Sequence, residues 1–255
     1  MNVIRYRELL SELTKREIKQ RYKQSILGYA WVMINPLIQM LVMAFVFSKI
    51  MRIPTLGVPY SIFLYVGLLP WTLFSNSLLS ATNALVGNAG LITKIYFPRE
   101  IFIISTILAK IVDFLLASLV LVVFMFVARI PVTLHILWVI PIFCIQQIFT
   151  YALSLLVSAL NLFYRDVQYI INLGLLVLMY MTPVIYPVEL FPQKYQWIFQ
   201  LNPLAVIINA YRKTILGQGA PNFLSLGIAF GLSIVLLLMA QYIFKKLEGI
   251  FADVV

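Results

Sequence analysis

Residue types that commonly carry chemistry are sparse in this sequence. His135 and Cys144 are each the single member of their type, so the sequence offers neither a disulfide framework nor the clusters of cysteine and histidine that bind zinc. No glycine is followed by Lys, Ser or Thr, which excludes the glycine-rich loop that holds nucleotide phosphates in many ATPases. We therefore expect no metal site, no catalytic residue and no cofactor in this chain.

Lys110 and Asp113 are ionisable residues inside a long apolar stretch. Charged side chains are costly in membrane hydrocarbon, and by default they indicate a functional site. Their i, i+3 spacing also allows them to pair on one face of a helix. We favour a structural ion pair within a helical bundle, with a functional role as the alternative.

The segment 182–217 is apolar but is interrupted by four prolines. Each proline removes a backbone donor and disfavours helix at the residue before it, and such backbone persists at membrane depth only when it is packed in protein or lines a wet cavity. Asn202 and Pro203 are typical of a helix start, which predicts a short helix ending before Gly217. We predict a re-entrant gate over 183–217, with the candidate residues Tyr186, Phe191, Tyr195, Trp197 and Phe199. For each ring taken singly, an interfacial aromatic belt is the alternative.

The composition indicates that these residues belong to a membrane protein. Hydrophobic residues make up 62% of the chain, charged residues 11%, and the mean hydropathy is +0.97, values typical of an integral membrane protein. The net charge of +10 does not indicate nucleic acid, because seven of the nineteen basic residues precede residue 30 and flank the first apolar run. That distribution follows the positive-inside rule.

The N-terminal residues 1–28 are predicted to form a cytoplasmic amphipathic helix. Tyr6, Leu9, Leu10 and Leu13 share one face at helical spacing, among basic residues suited to anionic headgroups. A solvated basic tail is the alternative.

The remaining residues, 29–255, are predicted to form one all-α transmembrane domain with six spans and both termini in the cytoplasm. The fifth span is too short for a full crossing at about 1.5 Å per residue, so it must continue into the proline-rich segment. The sixth contains Gly227 and Gly231 in a close-packing motif, which suits contacts within one protomer or between two. The predicted spans are 29–50, 61–86, 101–127, 136–163, 167–181 and 223–244.

Two cytoplasmic loops follow from this topology. In the loop 88–100, Asn88 is placed to cap a short helix that should end near Tyr96, because Pro98 excludes helix at Phe97. That helix either rests on the membrane or contacts a soluble partner. The other loop contains Arg165 and Asp166, and the carboxylate favours the start of the next helix.

Elimination narrows the class of protein. A secondary transporter of this size normally contains internal repeats and several intramembrane charges, and a membrane transferase needs clustered carboxylates or a metal site. The sequence has neither pattern. An exporter powered by a separate ATPase is compatible with all of these observations.

Six motifs in order resemble the polysaccharide and polyol-phosphate export permeases, the membrane subunits of type-2 ABC exporters that include O-antigen and teichoic acid permeases. The resemblance extends over residues 15–217. The motifs are RYKQSILG at 21–28 with Trp31 and Pro36, GLLPW at 67–71 with Phe74, LITKIYFPRE at 91–100, YRDV at 164–167, PVIYP at 183–187 and LNPL at 201–204.

The resemblance implies a homodimer in the cytoplasmic (inner) membrane of a bacterium, with two ABC ATPase subunits that bind ATP and Mg. It implies export of a glycan carried on undecaprenyl diphosphate, with the gate aromatics lining its pathway. It also implies an N-terminal interface helix near the ATPase and a coupling helix in the loop 88–100. The coupling residues would be Leu91, Ile92, Lys94, Ile95, Tyr96, Phe97 and Arg99.

Two other functions are compatible with the sequence. A type-2 permease for a drug or small lipid would need less of an aromatic pathway. A membrane glycosyltransferase or polymerase would be active without any ATPase.

Overall fold

The computed structural model describes residues 6–23, 25–54, 57–93 and 97–251, and for Tyr22 the backbone alone. These residues form an all-helical fold without strands. Ten α-helices are present: α1 Arg7–Tyr22, α2 Ala30–Ala44, α3 Tyr60–Thr82, α4 Ala89–Ile92, α5 Glu100–Val127, α6 Val139–Phe163, α7 Val167–Met181, α8 Gln193–Gln200, α9 Pro203–Ile215 and α10 Phe223–Glu248.

Five helices of the described chain are long and apolar enough to cross a membrane. Two of them include short non-α turns, because a π-helical segment Phe45–Ile50 extends α2 and a 3₁₀ turn Leu134–Trp138 precedes α6. The sequence predicted each of these spans to within a few residues. It also predicted the bounds of α7, whose 15 residues make a helix of about 22 Å.

Helix α3 is the centre of the bundle. In an apolar 18-residue stretch of α3, 78% is buried inside the protein, whereas only 11% is buried in the corresponding stretch of α2 and its π-helical extension. Helices α5, α6, α2 and α9 all pack against α3. Pro70 lies inside α3, and its carbonyl accepts a hydrogen bond from Gln146 Nε2 at 2.8 Å. The amide thereby joins α6 to the proline-containing turn of α3.

Helix α1 packs against the bundle through its predicted apolar face. Leu13 is buried, and Tyr6, Leu9 and Leu10 contact the same hydrophobic cluster. The polar face is solvent-exposed; there Lys15 donates to Glu12 at 2.8 Å, and this hydrogen bond lowers the pKa of the Glu12 carboxyl. The predicted apolar face of α1 therefore packs against the protein's own helices.

Gly227 and Gly231 lie on an exposed face of α10. A Cβ built at either glycine would meet nothing within 4 Å. Of the two alternatives for this motif, close packing within the protomer is therefore not observed among the described residues.

Candidate functional site

The chain leaves helical geometry directly after α7, at a segment that we call the proline break, residues 182–187. Thr182, Val184 and Ile185 are buried there, directly after the short apolar helix α7. A buried, non-helical backbone must find partners for its carbonyl groups. This requirement organises the site.

Two side chains supply these partners. Arg212, on α9, donates from Nη1 to the Pro183 carbonyl at 2.5 Å and from Nη2 to the Val184 carbonyl. Tyr60, the first residue of α3, donates its hydroxyl to the Ile185 carbonyl at 2.6 Å. Three consecutive carbonyls of the proline break are therefore satisfied by side chains from two other helices.

Arg212 is itself enclosed, with 3% of its surface exposed. Its guanidinium carbon lies 3.8 Å from the centroid of the Phe63 ring, a favourable cation–π arrangement. Gly67 makes room for it, since a Cβ at that position would lie 2.5 Å from Arg212 Nη2 and 3.1 Å from the Val184 carbonyl oxygen. Arg212 was not among the functional residues predicted from the sequence.

Helix α9 begins and ends as predicted. The Asn202 side chain accepts from the Leu204 amide at 3.0 Å, and its Nδ2 donates to Thr182 Oγ1 at 3.0 Å. Gly217 follows the helix with a φ of +70°, a conformation that favours glycine, and the next amide, of Gln218, bonds back to the Lys213 carbonyl at 3.0 Å. The cap residue thus also fastens α9 to the end of α7.

The five aromatic candidates divide into two groups. Tyr186, Phe191 and Phe199 form a cluster with centroid separations of 5.0–6.3 Å, and the Tyr186 hydroxyl donates to the Tyr180 carbonyl at 2.7 Å. Tyr195 and Trp197 are exposed on α8, with 57% of Trp197 accessible. The structure therefore does not bring Tyr186 and Trp197 together.

The loop 88–100 differs from its prediction. Helix α4 ends at Ile92 rather than near Tyr96, and Lys94, Ile95 and Tyr96 lie outside the described residues. Asn88 precedes α4 without capping it; its amide donates to the Ala84 carbonyl at 2.8 Å and its oxygen accepts from Arg16. The loop is thereby joined to α1.

The apolar residues of this loop that the structure describes are mostly turned inward. Ile92 and Phe97 are 3% and 4% exposed, and the Phe97 ring packs edge-on against Phe102 at 5.2 Å. Arg99 is held by Glu248 at the end of α10, through its backbone amide at 3.0 Å and its guanidinium at 3.9 Å. Both side chains are buried within this chain, and the assignment of Ile92 and Phe97 as coupling residues stays a prediction. Leu91 is partly exposed.

Lys110 and Asp113 belong to a larger group of charges. Their side chains are 3.9 Å apart, but Asp113 Oδ2 lies closer to Arg21 Nη1, at 2.7 Å. Arg21 also pairs with Glu17 at 3.2 Å. Two cations and two anions thus join α1 to α5, a contact that sequence spacing cannot reveal because Arg21 and Asp113 are 92 residues apart.

Arg165 and Asp166 are exposed in the turn between α6 and α7, and the Asp166 side chain does not cap α7. Asn161, buried at the end of α6, accepts from the Gln168 amide at 3.1 Å and donates to the Thr82 carbonyl at 2.9 Å. The residue that caps this turn was therefore not among the sequence candidates. No sequence signal identified it, because its bond to Thr82 joins residues 79 apart in the chain.

A cavity of about 440 Å³ lies between α2, α3 and α5, and we call it the α2–α3–α5 cavity. Helix α2 contributes Trp31, Asn35 and Gln39 to its wall, α3 contributes Trp71 and Asn76, and α5 contributes Lys110, Asp113 and Phe114. Amides, hydroxyls and aromatic rings therefore line a space that begins at the α1 end of the bundle.

The comparison with protein families agrees with this architecture. Residues 8–216 match the family model described as ABC-2 type transporter, which spans α1, the α2–α3–α5 cavity, the proline break and α9. The chain is a member of the ABC-2 type transporter family.

Three curated relatives extend this assignment. This ABC-2 family member is 36% identical over 248 residues to the O-antigen export system permease protein RfbA of Klebsiella pneumoniae, covering 97% of this chain and 95% of that one. A protein of the same name from Myxococcus xanthus is 33% identical over 251 residues, with 97% and 95% covered. The polysialic acid transport protein KpsM of Escherichia coli is 23% identical over 228 residues, with 84% and 82% covered.

Proposed function

We propose that this chain is the membrane permease subunit of an ATP-driven ABC exporter that moves a lipid-linked polysaccharide across the cytoplasmic membrane. The observation that carries the proposal is similarity over nearly the whole chain to proteins named O-antigen export permeases. Export of a lipid-linked glycan needs a path through the membrane but no catalytic residue in the permease itself. The buried helix break and the polar cavity suit such a path.

The proposed assembly is a homodimer of six-span subunits with two ABC ATPases on the cytoplasmic side. ATP and Mg are bound by the ATPases, and the glycan is carried on undecaprenyl diphosphate. The fifth of the six crossings is formed by α7 together with the proline break and α8–α9, because α7 has only 15 residues and a full crossing needs about 20. Exposed apolar residues along α7, such as Leu173 and Val177, suit lipid or the second subunit.

Coupling to the ATPase is assigned to the loop 88–100 and α1. Ile92 and Phe97 anchor the loop in the bundle, so partner contact falls to its exposed side chains, with Leu91 and Thr93 among those described. The hydrogen bond from Arg16 to Asn88 links α1 to this loop. A displacement of α1 or of this loop is thereby transmitted to the other element.

The outer gate is assigned to the proline break with α8 and α9. The cluster of Tyr186, Phe191 and Phe199 supports its shape, and the exposed rings of Tyr195 and Trp197 are available to a passing glycan. Aromatic rings cover the CH faces of sugars and offer hydroxyl or indole donors at their edges. Such contacts are weak and tolerate different sugars.

The proposal is tested by deleting the gene in its bacterium and complementing it with the wild-type chain. Loss of the surface glycan, with intracellular accumulation of the completed lipid-linked polymer and restoration on complementation, is expected. A strain whose paired ATPase cannot hydrolyse ATP should accumulate the same polymer. An unchanged surface glycan would instead favour a small-lipid or drug permease, and absence of the polymer itself would favour a glycosyltransferase.

A further inference from the structure

Three amide side chains project from the membrane-spanning part of α2 and α3 without a partner. Asn35 and Gln39 on α2 and Asn76 on α3 line the α2–α3–α5 cavity, and none of them makes a hydrogen bond in the part of the chain that the structure describes. By contrast, Gln146 and Asn161, amides elsewhere in the bundle, are bonded to backbone groups. Gln147 on α6 is a further amide without a hydrogen-bond partner among the described residues, so what distinguishes the α2–α3–α5 cavity is that three such amides face one space.

An amide facing hydrocarbon without a hydrogen bond is unfavourable by several kcal/mol, and polar residues in spans accordingly face a wet cavity or a ligand. Three of them on one wall thus indicate that the cavity holds water or polar molecules. Trp31 lies next to the N-terminal end of α2, and Gln39 lies two turns further along, about 12 Å into the span. The cavity therefore extends inward from the α1 end of the bundle.

The charges around the cavity indicate a neutral ligand. Lys110 and Arg21 are matched by Asp113 and Glu17, through contacts of 2.7–3.9 Å. The four side chains sum to zero charge, and the nearest carboxylate would repel a phosphate. What the cavity offers is amide and hydroxyl groups beside the aromatic rings of Trp31, Trp71 and Phe114.

We propose that the α2–α3–α5 cavity is a binding site for a neutral polyhydroxylated segment, the sugar units of the transported glycan, at the α1 end of its path and well before the outer gate. Amide groups donate to and accept from sugar hydroxyls, and aromatic rings cover the apolar faces of sugar rings. The volume of about 440 Å³ matches a few sugar units rather than a whole chain. This inference rests on the proposed export function.

The first test replaces the amides by an apolar residue of similar size, Asn35→Leu with Gln39→Leu and Asn76→Leu, in the full transporter in cells. Each lost hydrogen bond to a neutral ligand reduces binding by a factor of roughly two to ten, so export of the glycan should fall at least about fivefold at equal permease abundance. The Gln39→Asn and Asn76→Gln variants, which keep the amides, should export more than the leucine variants.

A matched control is Ser118→Val on α5, whose hydroxyl bonds to the Phe114 carbonyl of its own helix at 2.7 Å. Export by this variant should equal that of the wild type. Normal export by the triple leucine variant would overturn the binding site while leaving the export function intact, because that function is judged by the gene deletion.

The second test measures the cavity directly and does not depend on folding of the leucine variants. In a Cys144→Ala background, Gln39→Cys or Asn76→Cys should react with a membrane-impermeant methanethiosulfonate in inside-out vesicles that contain the complete transporter. Val235→Cys, on an exposed apolar face of α10, should not react. Maltoheptaose should slow the reaction at least about threefold, by occupying amide partners, whereas inorganic pyrophosphate should have no effect.

The outcomes separate the possible occupants. Absence of reaction at Gln39 and Asn76 would mean that lipid or a second subunit covers the amides, and it would overturn the proposal. Protection by pyrophosphate but not by maltoheptaose would make the cavity an anion site, and it would overturn the proposal as well. Protection by maltoheptaose in a strain whose gene deletion leaves the surface glycan unchanged would support sugar binding and reject the export function.

Discussion

A buried guanidinium needs acceptors, and Arg212 finds them in backbone carbonyls. No carboxylate among the described residues forms an ion pair with it; the Pro183 and Val184 carbonyls and the Phe63 ring take that place. Carbonyl dipoles stabilise a cation without adding a second charge that would also need burial. Arg212 therefore acts as a support for the backbone of the proline break.

The first residue-scale prediction is that Arg212→Leu destabilises the permease. Two buried carbonyls would lose their donors, at about 1–3 kcal/mol each, and the midpoint of thermal unfolding in detergent should fall clearly. Gly67→Ala should destabilise by about 1–3 kcal/mol through overpacking, because its Cβ would meet Arg212. Gly87→Ala, where a Cβ meets nothing within 4 Å, is the control. Equal stability of the Gly67 and Gly87 variants would contradict the close packing around Arg212.

Residue roles were the least predictable part of this protein. Residue type and local sequence identified Asn202 as a cap, because capping depends on neighbours a few positions away. They did not identify Arg212, Asn161 or the pairing of Arg21 with Asp113, since those contacts join segments separated by 28–92 residues along the chain. Long-range partners of polar side chains follow from the packing of helices, which a single sequence does not specify.

At the scale of elements, hydropathy and proline positions were sufficient for most bounds. Helix α7 runs from Val167 to Met181 and α9 from Pro203 to Ile215, as the apolar run and the Asn-Pro start predicted. The short helix α4 was the exception. A proline at 98 excludes helix only at the residue before it, whereas α4 had already ended at Ile92, within the cluster that also buries Phe97.

The element-scale prediction concerns the two faces of α8. Trp197→Ala should slow glycan export severalfold with a change of no more than about 0.5 kcal/mol in stability, because Trp197 is 57% exposed. Trp197→Tyr should retain export. Phe199→Ala should instead lower the unfolding midpoint, because the ring contacts Tyr186 and Phe191 and such pairs contribute about 0.5–1.5 kcal/mol beyond burial.

Export rates in vesicles and thermal unfolding of the same preparations measure both effects. The control is Leu201→Ala, because Leu201 is an exposed apolar residue between α8 and α9. This variant should leave export unchanged. Wild-type export by Trp197→Ala would identify Trp197 as part of an interfacial belt rather than of the gate.

At the scale of the whole molecule, the two ends of the bundle differ in charge. The end that holds α1, the loop 88–100 and the last turn of α10 contains most of the basic residues. From the positive-inside rule we predict that this end lies in the cytoplasm. In that orientation we expect α8 and α9 to face outward and the α2–α3–α5 cavity to open toward the cytoplasm.

The topology prediction uses cysteines introduced into a Cys144→Ala background. Gln193→Cys at the exposed start of α8 should react with an impermeant maleimide in intact cells whose outer barrier has been made permeable. Asn88→Cys and Asp166→Cys should react only after the cytoplasmic membrane is opened. Thr55, another position suited to the outer side, lies outside the described residues. Reaction of Asn88→Cys in sealed cells would reverse the orientation.

The support of the proline break by Arg212 also has a consequence for biogenesis. The Val184 carbonyl and the guanidinium that satisfies it are 28 residues apart, so a ribosome that adds about 5–20 residues per second leaves this carbonyl without that donor for a few seconds. Tyr60 has been synthesised long before and can bind Ile185 at once. We therefore expect the break to reach its final packing only after Arg212 has emerged from the ribosome.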